Sequence, residues 1–145
     1  MASNSTTFNS LASGTVQSGG ANPANVGLVE LVQYATVNYG ADGTTTTICT
    51  LPAGSQIFGV DIDVTTAFNA GTTNTIKVGT ATSASQFVNA TSVSAAGRAS
   101  VASTGNYTNW QNVGTTSDTT VVATFNQTGT VASAGSARVA IRYAF

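Results

Sequence analysis

The sequence predicts an all-β protein: a single jelly-roll-like antiparallel β-sandwich with an extended N-terminal arm. Three observations lead there. Apolar and polar residues alternate with a period of two in several stretches, the pattern of strands that bury one face. Clusters of Gly, Pro, Asn and Asp separate these stretches at fairly even spacing, as in sandwiches and jelly rolls, and no stretch reads convincingly as a helix. Charged residues make up 6% of the chain, against about 25% in ordinary globular domains. With 41% hydrophobic residues and a net charge of −1, this is not the low-hydrophobicity, high-charge composition of a disordered chain.

The 145 residues fit one domain. A chain of this size buries roughly 68–70% of its unfolded surface, so it needs neither metal nor disulfide to fold. The surface that remains is rich in hydroxyl and amide groups. Weak charge suits packing against partners, because charge is depleted at interface cores.

Residues 1–27 read as a separate segment, and residues 28–145 as the sandwich. After Met1, Phe8, Leu11 and Val16 are the only sizeable apolar side chains before Val26. Gly19-Gly20 and Pro23 interrupt any regular pattern. Such a segment cannot build its own core. It is either a disordered tail or an extended arm ordered against a neighbouring subunit, with Phe8, Leu11 and Val16 as the candidate contacts.

The pattern changes at Leu28. Residues 28–39 form a long strand with Val29, Leu31, Ala35, Val37 and Tyr39 on one parity, broken by Gln33. Val, Tyr and Thr favour strand over helix here. Asp42-Gly43 is a hairpin signal, so residues 44–51 read as the return strand, with Cys49 a small buried residue. Residues 51–79 form the central unit of the chain. Pro52 and Gly54 open it with a turn. Phe58, Val60, Ile62 and Val64 then fall on the expected buried face, with Ile57, Gly59, Asp61 and Asp63 opposite. The tract 69–74 turns the chain into a strand beginning at Ile76 and Val78. Short strands follow near residues 86–88 and 98–103. Residues 119–126 alternate again, and residues 137–145 alternate most clearly. Val139, Ile141, Tyr143 and Phe145 are expected inside, and Arg138, Ala140, Arg142 and Ala144 outside. The count is about eight strands.

Candidate chemistry is sparse. Asp61 and Asp63 share a strand face and could hold Ca²⁺ with Asp42, but two or three carboxylates fall short of the oxygen ligands Ca²⁺ takes. A catalytic carboxylate pair would need an adjoining pocket that the sequence does not indicate. The better reading is a solvated or interface face with Arg138 and Arg142 as charge partners. The stretch NYTNWQN, residues 106–112, is rich in aromatics and amides. Tyr107 and Trp110 could form a surface contact loop that stacks on a sugar; more often such a loop plugs the end of a sandwich or packs on a partner. One Lys and three Arg make no basic patch, which argues against nucleic acid as a partner. Histidine is absent, removing His-based triads and His metal sites. The single Cys49 excludes an intramolecular disulfide, and a reactive thiol would need a base nearby. No Gly-rich phosphate loop, secretory signal or membrane-spanning run is present, so a membrane is not an expected partner. A non-enzyme without a cofactor is expected.

The succession LPAG, an alternating strand, DVTTAFNAGTTNTIKVGT and the closing AGSARVAIRYAF resembles the head decoration, or cement, proteins of tailed bacteriophages. These are small all-β virion proteins, many with jelly-roll folds. The resemblance covers roughly residues 44–145. It implies a structural role without catalytic residues: a homotrimer on the outer capsid surface at three-fold positions, bridging neighbouring major capsid proteins after assembly in the bacterial cytoplasm. The alternative is a receptor- or glycan-binding head fibre or tail protein using Tyr107 and Trp110 as its contact loop.

Overall fold

The computed structural model describes residues 29–101 and 107–145, apart from the side chains of Ser100 and Tyr107. Among the described residues eight strands form from the alternating stretches: β1 (Leu31–Asn38), β2 (Thr45–Leu51), β3 (Gln56–Thr66), β4 (Thr73–Gly79), β5 (Val88–Ser92), β6 (Gly97–Val101), β7 (Thr119–Thr128) and β8 (Ser136–Ala144). They divide into two four-stranded antiparallel sheets. One has the order β1-β8-β3-β6 and the other β2-β7-β4-β5. Every successive strand changes sheet except at β4–β5. This is the double Greek-key order of a jelly roll.

The core lies between the sheets. Val37, Val60, Ile62, Val64, Val139 and Ile141 enter it from the first sheet, and Leu51, Ile76, Val78, Val121 and Phe125 from the second. Each set is the apolar parity of its strand, but the central strands also bury residues of the opposite parity, Val122 and Thr124 in β7 and, against expectation, Ala140 and Ala144 in β8. Phe68 follows β3 into the core and packs its ring 4.5 Å from that of Phe125. Gly135, at φ 147°, lies against the Phe68 ring where a Cβ would clash, so this corner requires glycine.

Three local expectations give way. Asp42-Gly43 does not make a hairpin, since β1 and β2 belong to different sheets. A two-residue hairpin of type I′ needs positive φ at both central residues. Here Asp42 has φ −55° and ψ 126°, and only Gly43 is positive, at 68°. With Thr44 N–H donating to the Ala41 carbonyl at 3.0 Å, the corner is a type II turn. Gln127 N–H donates to Asp42 Oδ1 at 3.0 Å, and Gly43 N–H to the Phe125 carbonyl at 2.8 Å. The corner is thereby pinned to β7 and redirects the chain from one sheet to the other.

The second correction lies in β3. Its register against β8 slips between Ile57 and Gly59. The extra residue at this β-bulge is Phe58, which stands 44% exposed while Ile57 is buried. A bulge inserts one residue and so exchanges the faces on one side of it. The third concerns Phe145. It lies beyond the end of β8 and is 71% exposed rather than buried.

The residues that carry the family resemblance have structural tasks. Asn69 Oδ1 accepts from Ser133 N–H at 2.9 Å and Ala134 N–H at 3.0 Å, tying the β3–β4 loop to the β7–β8 loop. Asn74 is buried, accepts from Ala70 N–H at 3.0 Å and donates to the Ala70 carbonyl at 3.2 Å. In LPAG, the Pro52 carbonyl accepts from Oγ of the following Ser55 at 2.6 Å, and Gly54 N–H donates to the Val113 carbonyl at 2.8 Å.

Candidate docking surface

The outward face of the β1-β8-β3-β6 sheet gathers most of the chain's charge. Arg98, Arg138 and Arg142 are three of its four cationic residues, and Glu30, Asp61 and Asp63 three of its five acidic ones. Strand register brings them together. Asp63 in β3 stands opposite Arg138 of β8 on one side and Arg98 of β6 on the other. Arg98 Nε donates to Asp63 Oδ1 at 2.6 Å and its Nη2 to Oδ2 at 3.1 Å, a two-pronged contact. Arg138 Nη2 donates to the same Oδ2 at 2.9 Å. Both guanidiniums hold the Asp63 carboxyl well below the usual carboxylate range, Arg98 contributing most. Asp63 in turn raises Arg98.

A second group lies one row along. The Arg142 guanidinium crosses the face above Gly59, where a Cβ would collide with it. It reaches Asp61 Oδ2 at 3.3 Å, a diagonal cross-strand pairing, and Glu30 Oε1 at 3.1 Å. Arg138 also lies 5.3 Å from the centroid of the Tyr34 ring, within cation–π range. The expected partnership of Arg138 and Arg142 with the aspartates is therefore present. Arg98 is the partner that the sequence did not reveal, because pairing of β6 with β3 is a long-range event.

This face balances its own charge, so an approaching partner meets little net field from it. Around the paired charges stand Val32, Tyr34 and Phe58, all exposed, with the small Ala140 between them. The charges compensate one another within the face, and Val32, Tyr34 and Phe58 are the apolar groups it offers to another protein surface. The opposite sheet presents threonines outward, with cross-strand hydroxyl pairs Thr50–Thr120 at 3.4 Å and Thr73–Thr128 at 2.7 Å.

The other candidates fare differently. Asp42 is engaged at the β1–β2 corner, apart from Asp61 and Asp63. Among the described residues no three His, Cys, Asp or Glu side chains group to hold a metal ion. Trp110 is buried, and its Nε1–H donates to the Phe87 carbonyl at 2.7 Å. Asn109 Nδ2 donates to the Gln86 carbonyl at 3.0 Å. The ring is thus withdrawn from the surface, which corrects the sugar-stacking reading for Trp110. The segment instead plugs the sandwich beside Phe87, the other reading of its sequence. The Tyr107 side chain, and Phe8, Leu11 and Val16, lie outside the described residues. Cys49 is buried, and burial pushes its thiol up to about 11, which keeps it inert.

No family model matches the chain, and no curated protein does. Among solved structures, a chain in the capsid asymmetric unit of cyanophage Pam1 superposes with a TM-score of 0.60 and 24% identity. The match spans 86% of this chain and 97% of that one. A chain in the acid-stable capsid structure of the Helicobacter pylori bacteriophage KHP30 superposes with a TM-score of 0.57 and 18% identity, over 81% of this chain and 88% of that one. These likenesses establish a shared fold.

Proposed function

We propose that this chain is a structural virion protein of a tailed bacteriophage that decorates the outer capsid surface and cements contacts between major capsid proteins. The observation that carries the proposal is the fold match to chains of two phage capsids over nearly their full lengths. Matches of that extent are to small all-β chains of about this size, not to a domain within a much larger subunit. The outer face of the β1-β8-β3-β6 sheet compensates its charges internally and leaves Val32, Tyr34 and Phe58 exposed to a partner. The sequence resemblance to cement proteins points the same way, and it motivates a homotrimer assembled in the host cytoplasm, seated at three-fold positions. Residues 1–27 act in this reading as an arm that reaches a neighbouring cement or capsid subunit through Phe8, Leu11 and Val16.

Capsids stripped of this protein provide the test. Adding the purified chain back should give saturable binding and raise the temperature at which the shells rupture. Shells that neither bind the chain nor gain stability would overturn the proposal.

A further inference from the structure

The strand β1 is built unlike the other sheet edges. Among the described strands it is an outermost one, and Val37 is its only buried residue. Leu31, Val32 and Tyr34 are 37%, 57% and 62% exposed. They lie on both faces, because Leu31 has the inward parity of Val37 while Val32 and Tyr34 have the outward one. The first half of β1 therefore extends past the cover of the opposite sheet.

Edge strands are usually blunted by shortness, bulges, charge or proline. Among the other three edges, β2 carries a register slip at Ile48, and β5 and β6 are five residues long. By contrast, β1 runs eight residues in unbroken register with β8 and contains no charged residue, proline or glycine. Its outward N–H and C=O groups are a template for one more strand.

We infer that residues 5–16 of a second copy of this chain, STTFNSLASGTV, add to β1 as that strand. The segment has matching chemistry. No charged residue precedes Glu30, so an uncharged strand meets an uncharged edge. Phe8 and Leu11, three residues apart, project from opposite faces of an extended strand. They can cover Leu31 on one side and Val32 with Tyr34 on the other. Gly19-Gly20 and Pro23 fall outside the pairing stretch, in the connection. That connection, residues 17–30, points to a second copy. Hairpin loops are typically 2–5 residues long, and a link of this length lies at the upper end of those found within compact domains, about 12–15 residues. A link of this length reaches on the order of 45 Å when extended, enough to span to a neighbouring molecule. The inference deepens the proposed function by naming the acceptor of the arm and a route to self-assembly.

Hydrogen exchange on the full-length protein, without capsids, tests it independently of decoration. In the wild type, β1 amides pointing away from β8 should exchange at least about tenfold more slowly than in a full-length Phe8→Asp/Leu11→Asp variant. The β7 amides, central in their sheet, should be equally protected in both and so report an intact fold. Isotope-labelled variant co-refolded with excess unlabelled wild type should regain β1 protection, because wild-type arms can reach its edge. Equal β1 exchange in wild type and variant would overturn the docking. Protection that is not restored in the mixture would place the segment on its own copy and overturn exchange between copies.

Discussion

At the scale of single residues, Trp110 and Cys49 both belong to the core rather than to chemistry at the surface. Trp110 is a packing residue. Its ring closes one end of the core, and its N–H satisfies a backbone carbonyl. Replacing it with alanine should cost about 3–5 kcal/mol, the usual range for deleting a buried Trp; denaturant unfolding measures this, and a loss under about 1 kcal/mol would mean that the loop is not a plug. Plugging was the commoner reading of NYTNWQN, but the partner was illegible, because the carbonyl that Trp110 bonds belongs to a residue far back in the chain. Cys49 carries a pH dependence rather than reactivity. Burial favours its neutral thiol, so its stabilising contribution is complete below the unfolded thiol's pKa and is lost as pH rises toward about 11. Between about pH 8.5 and 11 the wild type should lose more stability than Cys49→Ala. Parallel pH profiles for the two proteins would show that the thiol does not contribute.

At the scale of elements, alternation located the strands well because burial of one face imposes a period of two. It could not reveal which sheet each strand joins, since both sheets bury one face in the same core. Nor could it reveal the bulge in β3. Ile57 and Phe58 are both large and apolar, and either parity was consistent with the sequence until pairing with β8 chose one. The bulge makes a measurable claim. Phe58→Ser, at an exposed site, should change stability by no more than about 0.5 kcal/mol, whereas Ile57→Ala should cost about 2–5 kcal/mol. The reverse order would restore uninterrupted alternation and remove the bulge. The same long-range pairing explains why Asp61 and Asp63 suggested a metal site in isolation. Their partners come from β6 and β8, and only the folded sheet turns two adjacent carboxylates into charge-balanced networks.

At the scale of the whole molecule, the sequence and the fold converge on a passive, packable object. Six of the nine charged residues neutralise one another on one sheet face, and the other face is dominated by hydroxyls. Exposed ion pairs are screened by salt, whereas apolar burial and neutral hydrogen bonds are not. Binding to stripped capsids should therefore change less than about threefold between roughly 0.05 and 0.5 M NaCl. A many-fold loss would indicate that Arg98 or Arg138 leaves Asp63 to contact the shell. An electron cryomicroscopy reconstruction of the intact virion, at a resolution that traces side chains, would test capsid decoration at first hand. The map should show this sandwich on the outside of the shell at three-fold positions, with its β1-β8-β3-β6 face or β1 edge against neighbouring subunits. Density for the chain confined to a fibre or the tail, with none on the shell, would contradict it.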